Sequence, residues 1–141
     1  MKQELVSDWM TKDVITINPE TSLKEAHDIM NGRNIRRLPV VSHKKVVGMV
    51  TLGDIRGAEP SKASSLSVWE MNDLLAKVKV SEIMTHNPAT IHENVSIGDA
   101  AKVMLEKKFS SLPVVDDAEH LVGIITESDI FRLVVNEWHK D

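Results

Sequence analysis

The sequence of this chain contains one motif twice, and this internal repeat constrains the fold more than any other feature. Residues 6–11 return as residues 80–85, and the Leu-Pro-Val-Val sequence of residues 38–41 returns at 112–115. Corresponding positions are 74 residues apart up to that point and 75 apart beyond it, because the second copy contains one inserted residue. A long period that occurs only twice is unlike a solenoid, and it predicts two copies of one small folded motif.

The length of each copy predicts that the two copies fold together. A copy spans roughly 50 residues, and an isolated unit of that size buries little apolar surface. We therefore expect a pseudo-twofold pair with two related clefts, in which polar residues of both copies meet. We place the first motif at residues 5–57, a linker with a helix at 58–79, and the second motif at 80–138.

Composition and charge exclude several classes of protein. The formal net charge of −4 argues against nucleic-acid binding, which calls for a basic surface. Without cysteine, the chain can form no disulfide and perform no thiolate chemistry. No apolar run has the length of a membrane span, and the first residues are unlike a signal peptide. We therefore expect a cytoplasmic protein that does not enter a membrane.

Each copy has the pattern of a β-α-β-β-α motif, so the predicted fold class is α/β (α+β). In the first copy, residues 14–17 form a short β-branched run, and Ser22 begins a helix that ends at Asn31-Gly32. Residues 38–50 predict a hairpin with a polar turn at 42–45. The second copy repeats this order, with a strand at 89–91, a helix from Ser96 to about Lys107, and hairpin strands at 112–115 and 121–125.

Two further helices are predicted, one between the two copies and one at the end of the second copy. The polar residues 57–65 predict a linker, and Ser67 and Glu70 then have the spacing of a capping box. The last helix begins near Ser128 and has apolar residues on more than one stripe, namely Ile130, Phe131, Val134, Val135 and Trp138. A second apolar face predicts a homodimer. The alternative is that Trp69 and Trp138 complete the core of the monomer.

The second strand of each hairpin leads into Thr-x-x-Asp, at residues 51–54 and 126–129. Both sequences fit a helix cap, with threonine at the N-cap and aspartate three residues later. They also fit a ligand site, because a helix N-terminus attracts phosphate and a carboxylate can accept both hydroxyls of a ribose diol. Ser128 adds a hydroxyl, where the first copy has Gly53. The residues alone favour neither interpretation.

Two arginines distinguish the copies. Arg36 and Arg37 precede the Leu-Pro-Val-Val strand of the first copy, whereas Ser110 and Ser111 precede that of the second. Adjacent arginines at a strand end usually form a solvated edge. If they point into a cleft, they can bind phosphate oxygens in a bidentate way. In that case the two clefts differ, and the one with the arginines prefers a charged phosphate.

The sequence contains no recognisable catalytic constellation. Of the six histidines, only His86 and His92 are close together, and no acidic pair accompanies them at metal-ligand spacing. No nucleophile motif and no Walker-type phosphate loop is present. We therefore predict that the protein is not an enzyme and requires no metal or cofactor.

The duplicated segments resemble tandem cystathionine-β-synthase (CBS) domains, which together form a Bateman module. The resemblance covers nearly the whole chain. Helix-connecting residues 65–75 and residues 124–131 further resemble stand-alone CBS proteins of the AcuB type, which are associated with acetoin utilisation. The general resemblance rests on Asp8-Trp9-Met10-Thr11, Arg37-Leu38-Pro39-Val40-Val41, Gly48-x-x-Thr51-x-x-Asp54-Ile55 and their second copies.

The resemblance implies two clefts that bind adenosine-containing ligands such as AMP, ADP, ATP or S-adenosylmethionine. It implies that the Thr-x-x-Asp of one motif closes a cleft of the other, with the ribose on the aspartate. One cleft would be lined by Thr11, Ile15, Ile35, Arg36, Arg37, Thr126, Ser128 and Asp129. The other would be lined by Thr51, Asp54, Thr85, Ala89, Phe109 and Ser110.

These observations lead to the hypothesis of a non-enzymatic regulatory module that senses energy or metabolite state. The bound ligand would favour one arrangement of the two motifs, and a partner protein would read that arrangement. The alternative is a purely structural dimerisation or protein-interaction module without a ligand, in which Thr-x-x-Asp only caps helices.

Overall fold

The structure is a computed structural model, and it describes residues 4–59 and 66–139. Most of the linker predicted at 57–65 therefore lies outside the described residues. None of the helices in these two ranges is long and apolar enough to cross a membrane. In chain order the elements are α1 (Val6–Trp9), α2 (Leu23–Arg33), β1 (Arg37–Ser42), β2 (Lys45–Thr51), α3 (Leu52–Ala58), α4 (Val68–Lys77), a 3₁₀ turn (Val80–Glu82), β3 (Thr85–His86), β4 (Ile91–His92), α5 (Ile97–Lys107), β5 (Ser111–Val115), β6 (Leu121–Thr126) and α6 (Glu127–Trp138).

The chain divides into two compact units that do not follow the order of the sequence. The α2 unit comprises Ile15–Pro88, and the α5 unit comprises the residues up to Val14 together with those from Ala89 onward. The opening segment of each sequence copy therefore belongs to the unit that contains the hairpin of the other copy. The motif boundaries at 5–57, 58–79 and 80–138 follow the sequence repeat and stay a prediction.

Each unit contains one three-stranded sheet built on a hairpin. In the α2 unit the order is β1-β2-β3, with antiparallel pairing such as Pro39 with Met49 and Gly48 with His86. In the α5 unit the order is β4-β5-β6, with β4 parallel to β5 and β5 antiparallel to β6. The mixed α and β composition and the two hairpins confirm the predicted fold class.

The first strand of each copy is shorter than the sequence predicted. In the first copy, residues 14–17 form only an isolated parallel bridge between Ile17 and Val40. The chain leaves the sheet directly afterwards, because Asn18 Oδ1 accepts a hydrogen bond from the N–H of Glu20 in a turn. In the second copy the strand is the two-residue β4 rather than residues 89–91.

Serine caps define the starts of α2 and α5 as predicted. The Ser22 hydroxyl accepts the N–H of Glu25 at 3.1 Å, and the Ser96 hydroxyl accepts that of Asp99 at the same distance. The predicted end of α2 at Asn31-Gly32 is wrong. The helix continues to Arg33 because the following Asn34 adopts the left-handed conformation that ends it.

The core of each unit forms from corresponding positions of the repeat. Trp69 and Trp138, which were alternative core residues, are instead 85% and 75% exposed, so the interpretation that they complete the monomer core is wrong. The buried residues of the α2 unit include Leu23, Ala26, Met30, Leu38, Val40, Val50 and Ile55. Those of the α5 unit include Ile97, Ala100, Met104, Leu112, Val114 and Ile125.

A glycine in the second hairpin strand allows a methionine to pack directly on each sheet. A Cβ at Gly48 would lie 2.3 Å from Met84 Sδ, and a Cβ at Gly123 would lie 2.5 Å from Met10 Sδ. Both distances are far below van der Waals contact. The methionine at the start of one sequence copy thus covers the hairpin of the other, and it positions the threonine that follows it.

Candidate functional site

The sequence Thr-x-x-Asp at 126–129 forms a reciprocal capping box at the start of α6. The N–H of Asp129 donates to Thr126 Oγ1 at 3.3 Å, and the N–H of Thr126 donates to Asp129 Oδ2 at 2.9 Å. The Thr126 hydroxyl also donates to Asp129 Oδ2 at 3.0 Å. The Asp129 side chain is almost fully buried by this arrangement.

The first copy has the same box at the start of α3. The N–H of Asp54 donates to Thr51 Oγ1 at 3.1 Å, and the N–H of Thr51 donates to Asp54 Oδ2 at 2.9 Å. The capping function of both sequences is therefore confirmed. Because capping uses only Oδ2 of each aspartate, it does not by itself exclude a ligand on Oδ1.

The N–H groups of the first helical turns are partly used by the protein. At the N1 position, Leu52 donates to the carbonyl of Arg36 at 2.8 Å, and Glu127 donates to that of Ser110 at 3.1 Å. The aspartate at N3 donates to the threonine. The remaining N2 group, which belongs to Gly53 or Ser128, has no helical acceptor because it lies in the first turn. One N–H of the first turn and Oδ1 of the aspartate thus lie outside the bonds of each capping box.

Thr11 and Thr85 occupy equivalent places in the two units. Thr11 exchanges two hydrogen bonds of 2.9 Å with Ile124, two residues before Thr126. Thr85 pairs with Met49, two residues before Thr51. Both threonines are exposed. Each therefore lies beside the strand that leads into the capping box of its own unit.

The residues before each hairpin also correspond. Ile35 donates its N–H to the carbonyl of Met30, and Phe109 donates to that of Met104, each at 3.0 Å. Ile35 packs against the core of the α2 unit, whereas Phe109 is 37% exposed. Arg36 is exposed, and Arg37 is half-buried at the start of β1.

The predicted site residues fall into two groups. Each of the two predicted cleft linings combines residues of both units, and this grouping stays a prediction. The α5 unit contains Thr11, Ala89, Phe109, Ser110, Thr126, Ser128 and Asp129, and the α2 unit contains Ile15, Ile35, Arg36, Arg37, Thr51, Asp54 and Thr85.

Arg132 is a site residue that the sequence reasoning missed. Its Nη1 donates to Asp129 Oδ1 at 2.7 Å, and its side chain is 63% exposed. The corresponding position in the first copy is Gly57. A signal was present in the sequence, because an acid and a base three residues apart on a helix lie side by side.

Two apolar grooves flank α6 in the α5 unit. One has a volume of about 540 Å³ and is lined by Met104, Leu105, Ser110, Glu127 and Phe131, among others. The other has a volume of about 340 Å³, and its lining includes Ile97, Ile130, Val134 and Trp138. The first groove therefore reaches one predicted site residue, Ser110.

The histidines of the described ranges form no cluster with acidic residues that could hold a metal ion. His92 Nε2 contacts Asp117 Oδ1 at 2.6 Å, and the Asp117 side chain is almost fully exposed. A single exposed contact of this kind is an ordinary surface pair.

The profile of the CBS domain family matches residues 6–61 and 80–136. Among proteins known by sequence, a CBS domain-containing protein of Dictyostelium discoideum is 36% identical over 132 residues, which cover 93% of this chain and 91% of that protein. The inosine-5′-monophosphate dehydrogenase of Thermoplasma acidophilum is 39% identical over 119 residues, or 84% of this chain. The match spans only 21% of that enzyme.

Solved structures of CBS pairs have the same fold. The CBS domain pair of protein MJ0100, in complex with 5′-methylthioadenosine and S-adenosyl-L-methionine, has a TM-score of 0.77 and 35% identity. The match covers 96% of this chain and 99% of that chain. CBSX2, from Arabidopsis thaliana, in complex with AMP, has a TM-score of 0.78 and 29% identity, with 95% and 98% coverage.

The structure of a putative acetoin utilization protein (AcuB) from Vibrio cholerae is also similar. Its TM-score is 0.79 at 27% identity, and the match covers 98% of this chain and 95% of that chain. The similarity seen in the sequence to CBS pairs, with AcuB among them, is thus confirmed.

Proposed function

Because the chain belongs to the CBS-domain family, we propose that it is a non-enzymatic regulatory module that binds adenosine-containing ligands. The observation that carries this proposal is the duplicated capping box, in which each aspartate keeps Oδ1 outside the cap. Similar CBS pairs hold AMP, 5′-methylthioadenosine and S-adenosyl-L-methionine, which all contain a ribose. Adenosine-containing ligands, among them AMP, ADP, ATP and S-adenosylmethionine, are therefore the proposed class.

The proposed contacts follow from the chemistry of the box. A carboxylate oxygen accepts the ribose hydroxyls, and the N2 N–H adds a donor at the positive end of the helix dipole. Arg36 and Arg37 supply charge for a phosphate in one cleft, whereas Ser110 and Ser111 stand at the corresponding positions of the second copy. For the residues that line the two clefts, this proposal adopts the two sets predicted from the sequence.

Regulation requires that the ligand prefer one conformation of the protein, because a ligand that binds two states equally changes neither population. We propose that the preferred state exposes a surface for a partner protein. A cytoplasmic location and a role in acetoin utilisation remain predictions from the sequence.

Isothermal titration calorimetry with AMP, ADP, ATP and S-adenosylmethionine tests the proposal. We expect at least one ligand to bind the full chain and the double variant Asp54→Ala/Asp129→Ala to lose that binding. Asp99→Ala is the matched control, because Asp99 occupies the same N3 position behind the Ser96 cap of α5. Unchanged affinity in the double variant, or no binding at millimolar ligand, would contradict the proposal.

The structural alternative is favoured by the completeness of both caps. In that case Asp129→Ala lowers the free energy of unfolding by about 1 kcal/mol, as for a lost cap contact, and nucleotide changes nothing. Thermal unfolding with and without nucleotide distinguishes the two, because a ligand that binds only the folded state raises the melting temperature.

We also propose that the protein is a homodimer in which α6 contributes to the contact. The exposed residues Phe131, Val135 and Trp138 support this, since a contiguous apolar surface of large side chains is typical of an interface. The occupant of that surface would be the same surface of a second copy of the chain.

A further inference from the structure

The carboxylate of Asp129 has little capacity left for a ligand. A carboxylate offers about four acceptor positions. Oδ2 uses two of them for the N–H and the hydroxyl of Thr126, and Oδ1 uses one for Arg132. A ribose diol needs two acceptor positions when both hydroxyls bind the same carboxylate. Arg132 must therefore leave before Asp129 can accept the whole diol.

The equivalent carboxylate in the first copy has no arginine at the corresponding position of its own helix. Oδ2 of Asp54 accepts the N–H of Thr51, and the position that corresponds to Arg132 is Gly57. Asp54 can thus accept both hydroxyls of a diol directly. The two aspartates occupy equivalent positions of the two copies, yet they differ in the free energy that binding a neutral nucleoside costs.

We propose that Arg132 determines the ligand specificity of the Asp129 site, by excluding ligands that carry a diol without an accompanying anionic group. This inference rests on the proposed function, because it concerns the same aspartate. Displacement of the guanidinium costs a charge-assisted hydrogen bond. A neutral nucleoside cannot replace that bond. A ligand with a phosphate or carboxylate can, because the released guanidinium can bind its anionic oxygens.

The exposure of Arg132 makes the exchange feasible. The Arg132 side chain is 63% exposed, whereas the Asp129 side chain is only 3% exposed. The arginine can therefore swing into solvent while the aspartate stays in the cap. Partial solvation also limits the selectivity, and we expect roughly a tenfold effect at most.

Calorimetry with adenosine and AMP tests this inference in the Asp54→Ala background. In that variant only the Asp129 site is expected to bind ligand. We expect AMP to bind about tenfold more tightly than adenosine. In Asp54→Ala/Arg132→Ala the ratio of AMP affinity to adenosine affinity should fall to about threefold or less, because adenosine gains affinity and AMP loses it. Asp54→Ala/Arg132→Lys should keep the preference for AMP, since the positive charge remains.

The reciprocal variant is the matched control. In the Asp129→Ala background, Gly57→Arg should create a preference for AMP at the Asp54 site. The substitution is sterically possible, because a Cβ at Gly57 meets no atom within 4 Å.

Unfolding curves without ligand report whether each variant folds, and Asp54→Asn replaces Asp54→Ala if that variant is unstable. An AMP-to-adenosine affinity ratio unchanged by Arg132→Ala would overturn the inference while the proposed function stands. Failure of the wild-type chain to bind adenosine or AMP would overturn this inference, and failure to bind ADP, ATP and S-adenosylmethionine as well would overturn the proposed function.

Discussion

At the scale of single residues, the two glycines of the hairpins are under different constraints. The atoms nearest to a Cβ at Gly48 all belong to the flexible side chain of Met84. A Cβ at Gly123 would meet Met10 and also the backbone oxygen of Thr11, at 2.9 Å. A methionine can change its rotamer, whereas that carbonyl is held in a hydrogen bond with Ile124.

Gly123→Ala is therefore expected to destabilise the protein more than Gly48→Ala. We expect a loss of about 1–3 kcal/mol for Gly123→Ala, the usual cost of overpacking, and a smaller loss for Gly48→Ala. Urea unfolding of both variants measures this difference. Met84→Ala should relieve the strain of Gly48→Ala, whereas Met10→Ala should relieve Gly123→Ala only in part. Equal losses in the two glycine variants would contradict this explanation.

At the scale of secondary-structure elements, the hairpin turns explain the inserted residue. His43 and Lys44 join β1 to β2, and both have positive φ, as a two-residue type I′ turn requires. The second hairpin has a longer turn in which Asp116 Oδ1 accepts the N–H groups of Ala118 and His120, both at 2.9 Å. The second turn thus has one non-glycine residue with positive φ, Glu119, in place of two, and a side chain holds it.

The stability of the second turn is expected to depend on pH. The hydrogen bond from the backbone N–H of His120, with that from Ala118, lowers the pKa of Asp116 below its ordinary value. A lowered pKa in the folded state stabilises the protein above the ordinary pKa, and the contribution is lost as pH falls through the lower, folded-state value. Chemical unfolding between about pH 5 and about pH 2 should show a steeper loss for wild type than for Asp116→Asn. Parallel profiles, or a carboxyl signal in NMR that titrates at the ordinary pKa, would contradict this.

At the scale of the whole molecule, the exposed face of α6 determines the expected assembly. Ile130 and Leu133 pack against the core of the α5 unit. Phe131, Val135 and Trp138 follow each other at spacings of four and three residues, so they form a separate stripe on the helix. Their exposed fractions are 64%, 57% and 75%. This stripe is the second apolar face that the sequence predicted.

Val135→Glu is expected to convert the proposed dimer into a monomer, because it places a charge at the centre of this apolar stripe. Sedimentation velocity over a range of concentrations measures the effect. Asn136→Glu is the matched control, since it adds the same charge at the next, exposed position of the same helix. A wild-type chain that sediments as a monomer, or a Val135→Glu variant that remains dimeric, would contradict the proposed interface.

Local patterns were sufficient to predict much of this protein. The repeat, the serine caps and both Thr-x-x-Asp boxes depend on residues within a few positions of each other, so sequence spacing determines them. The family resemblance rested on the same short motifs, and it identified the aspartates as candidate ligand residues. Arg132 belongs with these local features, because its spacing from Asp129 was visible in the sequence.

Tertiary structure alone decided which distant segments pack together. Met10 covers Gly123, and Met84 covers Gly48, because each opening segment joins the hairpin of the other sequence copy. The spacing of apolar residues along the chain does not predict which distant segments pair in this way. The reduction of residues 14–17 to a single bridge and the exposure of Trp138 have the same origin. Both depend on which neighbours a residue meets in three dimensions, and hydrophobic spacing along the chain does not specify those neighbours.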